Sequence, residues 1–442
     1  MSERAASLLA ELDLAVRASH PDKAAGVALE AAREQVPLPE IVRTGARAFA
    51  VHADGTAGAP RALVAFASAL GLGPVLSPRL QPLPVLQAIS FAASEKKAGQ
   101  PLQAPSIVSG EVTHLGRSFV LAVRAGDVAE AESIFLGLLT EGRERKMAGD
   151  MLFRAAIEDM GEGGRKLMVA VKSWQLARSL GFRDVRTLLR PAVRYLVAGP
   201  RDRTPFEAIL ASLGKEWVDL EALASGGRPL DDAGRARVRK IAAAPDPSAG
   251  LAGTLALLRD GYAAVSIAEG LAVGAAHRVL AAKGYDLEAA RALMFTHAAR
   301  SVLSFSRTSE RLYALFQAAL RVRSPEPPRS PAPGSARSGK GDELRDLADE
   351  LDARRPREAA ARTEAYLARG EPAHKLLELL ASDACRDLAA ANDAINLIFA
   401  EVCAAEFLAS KSPEVLIALA KMIAASPKAP APFASWAPRL PA

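Results

Sequence analysis

Ser412-Pro-Glu-Val-Leu416 opens an apolar run at helical spacing near the end of the chain. Versions of the same phrase stand at Ala59-Pro-Arg-Ala-Leu63, Asp184-Val-Arg-Thr-Leu188 and Thr308-Ser-Glu-Arg-Leu312. The four leucines are separated by about 125, about 124 and about 104 residues. Self-similarity over so long a period marks duplicated architecture. Asp22, Asp127, Asp246 and Glu371 form a second landmark near the start of each copy. An acidic side chain there suits an N-cap or first-turn position, where it accepts orphan backbone N–H groups and meets the positive end of the helix dipole. From acid to leucine is about 61 and about 66 residues in the middle copies but about 41 and about 45 in the outer ones. Such abbreviation is expected of copies that cap an array.

The fold expected is therefore all-α: a helical-repeat array of four degenerate copies of a helical hairpin, either an open solenoid or a closed toroid. The copies are expected over residues 22–73, 127–199, 246–322 and 371–426. Residues 1–322 then form a core of three copies plus spacer helices. Residues 323–341, rich in proline, serine and arginine, read as a linker that cannot bury apolar surface. A C-terminal repeat spans 342–426, and a proline-rich tail, 427–442, carries Phe433 and Trp436, the latter read as a plug.

Composition agrees with close-packed helices. Half of the 442 residues are apolar while aromatics are only 5%, so packing falls to alanine, leucine and valine, and the first two are strong helix formers. No segment shows the two-residue alternation of a strand. The N-terminus lacks the pattern of a secretory signal, and apolar runs such as Leu167-Met-Val-Ala-Val171 stop short of a bilayer crossing. Cys385 and Cys403 are too few for a disulfide scaffold. A soluble, cytoplasmic protein that binds no membrane is expected. A net charge of +6 raises the question of nucleic acid. The densest basic run, Arg235-Ala-Arg-Val-Arg-Lys240, comes without aromatic stacking platforms or a recognised module, so it reads as a solvated helix face.

Few residues suggest chemistry. Glu111-Val-Thr-His114 and Glu371-Pro-Ala-His374 place a carboxylate and an imidazole on one helix face, the spacing of a di-metal helical site. Glu111 and His114 are the weak metal candidates; no metal is expected. His52 and His297 both lie just before the repeated phrase, so equivalent helices could point both imidazoles into one pocket, with Trp174 in the comparable stretch of the second copy. No phosphate loop or nucleophile–histidine–acid set occurs. Gly161-Glu-Gly-Gly164 reads as a joint between helices.

Some stretches resemble the questin oxidase-like helical family, which includes bacterial helical regions attached to Rieske domains. They are Ala155-Ala-Ile-Glu-Asp-Met-Gly-Glu-Gly-Gly-Arg-Lys-Leu-Met168, Ser173-Trp-Gln-Leu-Ala177, Leu188-Leu-Arg-Pro-Ala-Val-Arg-Tyr-Leu196, Phe295-Thr-His-Ala-Ala299 and Leu83-Pro-Val-Leu-Gln-Ala88. The resemblance implies an oxygenase acting on an aromatic polyketide-like substrate with NADPH and molecular oxygen. It also implies histidines where Arg165 stands and near Asn392, and this sequence has none there. Neither cysteine offers the Cys-x-His pattern of a Rieske cluster.

The first reading is a non-enzymatic or catalytically degenerate helical repeat protein that presents a groove or cavity to a protein partner or small ligand. It needs no cofactor, and its pocket candidates are His52, His297, Trp174 and Arg165. The second is the questin oxidase-like oxygenase with NADPH.

Overall fold

The structure, a computed structural model, describes residues 2–140, 142–244, 246–323, 343–429, 436, 439 and 440, with 142–144 as backbone only. The described residues form helices and no strand; one isolated bridge joins Arg228 to Tyr262. The expected linker falls almost wholly at 324–342, outside the described residues, as does Phe433.

The first five helices are α1 (Glu3–Arg17), α2 (Pro21–Arg33), α3 (Leu38–Ala50), α4 (Arg61–Leu72) and α5 (Pro82–Ser94). Here α1 packs on α2 and α3, α2 on α5, α3 on α4, and α4 on α5. Next come α6 (Val112–Ala125), α7 (Val128–Leu138), α8 (Gly142–Ile157), α9 (Gly161–Ser179) and α10 (Val185–Ala198). These five make the same pairings in the same order. After α11 (Thr204–Lys215) and α12 (Leu220–Ala224), the pairings recur in α13 (Asp232–Ala243), α14 (Pro247–Arg259), α15 (Ala264–Ala281), α16 (Leu287–Phe305) and α17 (Leu312–Arg321). They recur again in α18 (Glu343–Asp352), α19 (Pro356–Ala368), α20 (Ala373–Ala384), α21 (Ile395–Ser410) and α22 (Pro413–Ala425).

Between these groups, α4 packs against α9, α9 against α16, α16 against α21, and α21 back against α4. Alanine and glycine allow such close approach. A Cβ on Gly71 of α4 would fall 2.8 Å from the Glu401 Cγ of α21.

Local signals explain many of the helix ends. Asp127 and Asp246 are N-caps of α7 and α14, accepting from Glu130 N and Ser248 N, as their acidic character suggests. Gly126, at φ +82°, closes α6 in the left-handed region that glycine favours. Two long helical patterns are broken where the sequence alone reads as continuous. The 204–223 pattern divides at Trp217 (φ +50°), and the 389–409 pattern divides at Asp393 and Ala394 (φ +55° and +59°). Neither break contains glycine or proline, which is why the pattern did not announce them.

Leu188, Leu312 and Leu416 lie in the first turns of α10, α17 and α22, each the fifth helix of its group, but Leu63 lies in α4, the fourth. Likewise Asp22, Asp127 and Asp246 stand at the second helices, whereas Glu371 precedes α20, the third. The short outer spacings thus come from matching helices in different places. The fifth helix of the first group opens at Pro82 and the second helix of the last group at Pro356.

Among the described residues one helix, α15, is long and apolar enough to cross a bilayer by length and composition alone, a test that a core helix also passes. It packs against α13, α16 and α22. At the C-terminus Trp436 is buried, while Arg439 pairs with Glu30 and its carbonyl accepts from Arg33 Nε, so this part of the tail lies against α2.

Candidate ligand cavity

The N-terminal parts of α4, α9, α16 and α21 surround one cavity of about 270 Å³. Arg61 and Val64 come from α4, Arg165, Met168 and Val169 from α9, Arg291, Met294 and Phe295 from α16, and Ile395 and Ile398 from α21. All four helices therefore start at this end and run away from it. Their N-terminal dipole ends, each equivalent to roughly half a positive charge, face the same space.

Two left-handed turns shape the mouth. Glu162, Gly163 and Gly164 have φ of +50°, +73° and +78° at the start of α9. Asp393 and Ala394 precede α21 in the same region. Gly164 is required twice over, since its φ is left-handed and a Cβ there would lie 2.3 Å from Phe295 Cδ2. The glycines read as a joint are thus part of the cavity wall.

Polar groups at the mouth are mostly tethered. Arg61 binds Glu95 (3.0 Å) and Asp393 (2.6 Å), and Glu95 also accepts from Ala62 N at the start of α4. Burial raises the Glu95 carboxyl above its ordinary range, against the pull of Arg61. Arg165 pairs with Glu162 (3.1 Å), whose carboxylate also accepts from the Tyr195 hydroxyl (2.5 Å). Arg291 pairs with Glu288 (2.7 Å). Tyr285 also lines the cavity, and its hydroxyl is buried without a hydrogen-bond partner. Burial, with the nearby charge of Asp393, pushes that phenol up to about 12, so it remains a donor.

About one helical turn deeper lies a buried charged layer. Lys172 of α9 pairs with Glu401 of α21 and lies 3.3 Å from His297 Nε2. His297 Nδ1 is 2.7 Å from Glu406, which also accepts from Arg300 Nε at 2.9 and 3.0 Å. The two ring nitrogens thus face different partners, Nε2 the Lys172 ammonium and Nδ1 the Glu406 carboxylate. Burial alone would push the Glu406 carboxyl up, but the hydrogen bond from His297 and the charge of Arg300 hold it below the ordinary carboxylate range. Lys172 and Glu406 are both fully buried, and the layer balances two cationic side chains, Lys172 and Arg300, against two carboxylates, Glu401 and Glu406.

Of the residues expected in a pocket, only Arg165 lines this cavity. His297 belongs to the charged layer beneath it. Trp174 lies further along α9 in a different hollow with Phe153, Arg178, Arg300 and Phe305, packed edge-on against three phenylalanines. His52 follows the end of α3, a third helix, whereas His297 sits within α16, a fourth. They are not equivalent, and they share no cavity. Glu111 is the N-cap of α6, accepting from Thr113 N and His114 N. No cluster able to hold a metal occurs among the described residues. On the basic run, Arg235 pairs with Asp232 and Arg237 with Asp260.

Arg61, Arg291 and Tyr285 escaped sequence reading, because single arginines and tyrosines carry no spacing signal. The Gly163-Gly164 pair at a helix start was the one visible hint. Compared with known proteins, the chain matches no family model, no curated sequence and no solved structure.

Proposed function

We propose that this chain is a helical repeat protein that binds a small, largely apolar ligand in the cavity at the head of α4, α9, α16 and α21. In this reading four copies of a five-helix unit close around those helices as a toroid. The recurring pairings support it, and so does the return of α21 to α4. It replaces the hairpin unit with a larger one and makes the outer copies full length.

The observation that carries the ligand reading is the cavity itself. Its walls are mainly Val64, Met168, Val169, Leu287, Met294, Phe295, Ile395 and Ile398, with polar groups confined to a few positions. A concave apolar site with few convergent polar groups is the usual form of a small-molecule site. An enclosed floor favours a small ligand over a protein partner. The oxygenase reading, with NADPH, draws little from His297, whose ring nitrogens are both engaged.

Titration of the full chain with 1-octanol, a neutral probe of suitable size, tests this. Val64→Trp should fill the cavity and abolish binding while the protein still melts cooperatively. Undiminished octanol binding by V64W would place the site elsewhere.

A further inference from the structure

The cavity's polarity is graded along the helices, and that gradient bears on the ligand's class. At the mouth stand three guanidinium groups, Arg61, Arg165 and Arg291, against two carboxylates, Glu162 and Asp393. Glu95 and Glu288 hold Arg61 and Arg291 from just outside the lining, so each guanidinium has a carboxylate partner, and the four helix dipoles supply the remaining positive potential. Deeper in, Val169, Met294 and Ile398 present only apolar surface. Beneath them the charged groups satisfy one another: Lys172 with Glu401, and Glu406 with His297 and Arg300. A polar group pushed to the floor would find those charges already matched and would lose its own hydration.

The arginines differ in how committed they are. Arg61 is held by two carboxylates. Arg165 and Arg291 each have one acidic partner in the cavity region, three residues before them in sequence. A guanidinium carries five N–H donors, so both retain capacity for a further acceptor. The Tyr285 hydroxyl, buried and without a partner, adds a neutral donor on the same lining. In size, 270 Å³ equals about nine waters at roughly 30 Å³ each, room for on the order of ten non-hydrogen atoms.

We propose that the cavity takes an amphipathic monocarboxylate, its carboxylate held by Arg165 and Arg291 with Tyr285 donating, and its apolar body lying along Met168, Val169, Met294, Phe295 and Ile398. This rests on the ligand-binding reading above and narrows it. A carboxylate is planar and accepts paired N–H groups from arginine. A monoanion needs only the spare N–H donors of Arg165 and Arg291, whereas the second charge of a dianionic phosphate would add repulsion beside Glu162 and Asp393.

Calorimetric titration of the full chain with octanoate, 1-octanol, octylammonium and octyl phosphate separates the possibilities. Octanoate should bind at least tenfold more tightly than octanol, and octylammonium more weakly than octanol. Arg165→Gln and Arg291→Gln should each weaken octanoate about tenfold and leave octanol unchanged, so loss of fold is distinguished from loss of the anion site. Tyr285→Phe should weaken octanoate severalfold. Octanol binding as tightly as octanoate would overturn the anion site while leaving the cavity reading intact. Octyl phosphate binding more tightly than octanoate would overturn the monocarboxylate class. If no probe binds, the ligand-binding reading fails and this proposal with it.

Discussion

Lys172 shows how much a single side chain commits in this core. Its ammonium is fully buried, and its partners come from two other helices, Glu401 on α21 and His297 on α16. Removing one member of a buried pair leaves the other charged and unsolvated, which costs about 3–5 kcal/mol, whereas replacing both with apolar residues of similar volume is often nearly neutral. Lys172→Met should therefore destabilise by that amount in urea unfolding, and Lys172→Met with Glu401→Leu should recover most of it. If the single variant is as stable as the parent, the pair is not formed. The same layer explains His297. An isolated histidine on an apolar helix reads more often as a satisfied core residue than as a ligand, and the convergence of Glu406 and Lys172 on its two nitrogens is what satisfies this one.

At the level of the element, the entrance to α9 joins backbone geometry to the cavity. Three successive left-handed residues turn the chain so that Arg165, Met168 and Val169 face Arg291, Met294 and Phe295 across the cavity. Gly164→Ala introduces a Cβ where φ is +78° and Phe295 stands in the way. Strain and overpacking together should cost roughly 2–4 kcal/mol. Displacement of Phe295 should also weaken octanol binding. An alanine variant with unchanged stability and affinity would mean that this turn is not left-handed. The breaks at Trp217 and at Asp393–Ala394 belong to the same scale. In each, non-glycine residues hold left-handed positions within helical-looking sequence, and composition gives no warning.

Across the whole molecule, α4, α9, α16 and α21 hold distant parts of the chain together. The C-terminal helices are bound in through α21 on α4 and α16, and through α22 on α15. Buried residues run through these contacts, including Phe66, Phe295, Leu397 and Phe399. Cutting the chain at a protease site placed within residues 324–342 should leave two pieces that co-elute on a sizing column and separate only in denaturant. Separation in buffer would show that the last five helices stand alone. The return of the tail to α2 through Arg439, on Glu30 and Arg33, adds a further tie between the two ends.

The all-helical character was determined by the sequence alone, because it is written in alanine and leucine content, in helical spacing and in acidic caps such as Asp127 and Asp246. These are local signals, set by interactions within a turn or two. The presence of recurring landmarks was legible too, although their register was not: Leu63 and Leu416 look alike in sequence yet lie in helices with different packing roles. Only tertiary structure decided that four helix heads meet around one space. It likewise placed Arg61, Arg165, Arg291 and Tyr285 on the lining, sent His297 into a charged layer and left His52 and Trp174 elsewhere. A cavity is a property of how helices cross, and crossing depends on which small residue faces which large one, as Gly71 faces Glu401 and Gly164 faces Phe295. Those pairings join residues more than a hundred positions apart, and no local periodicity encodes them.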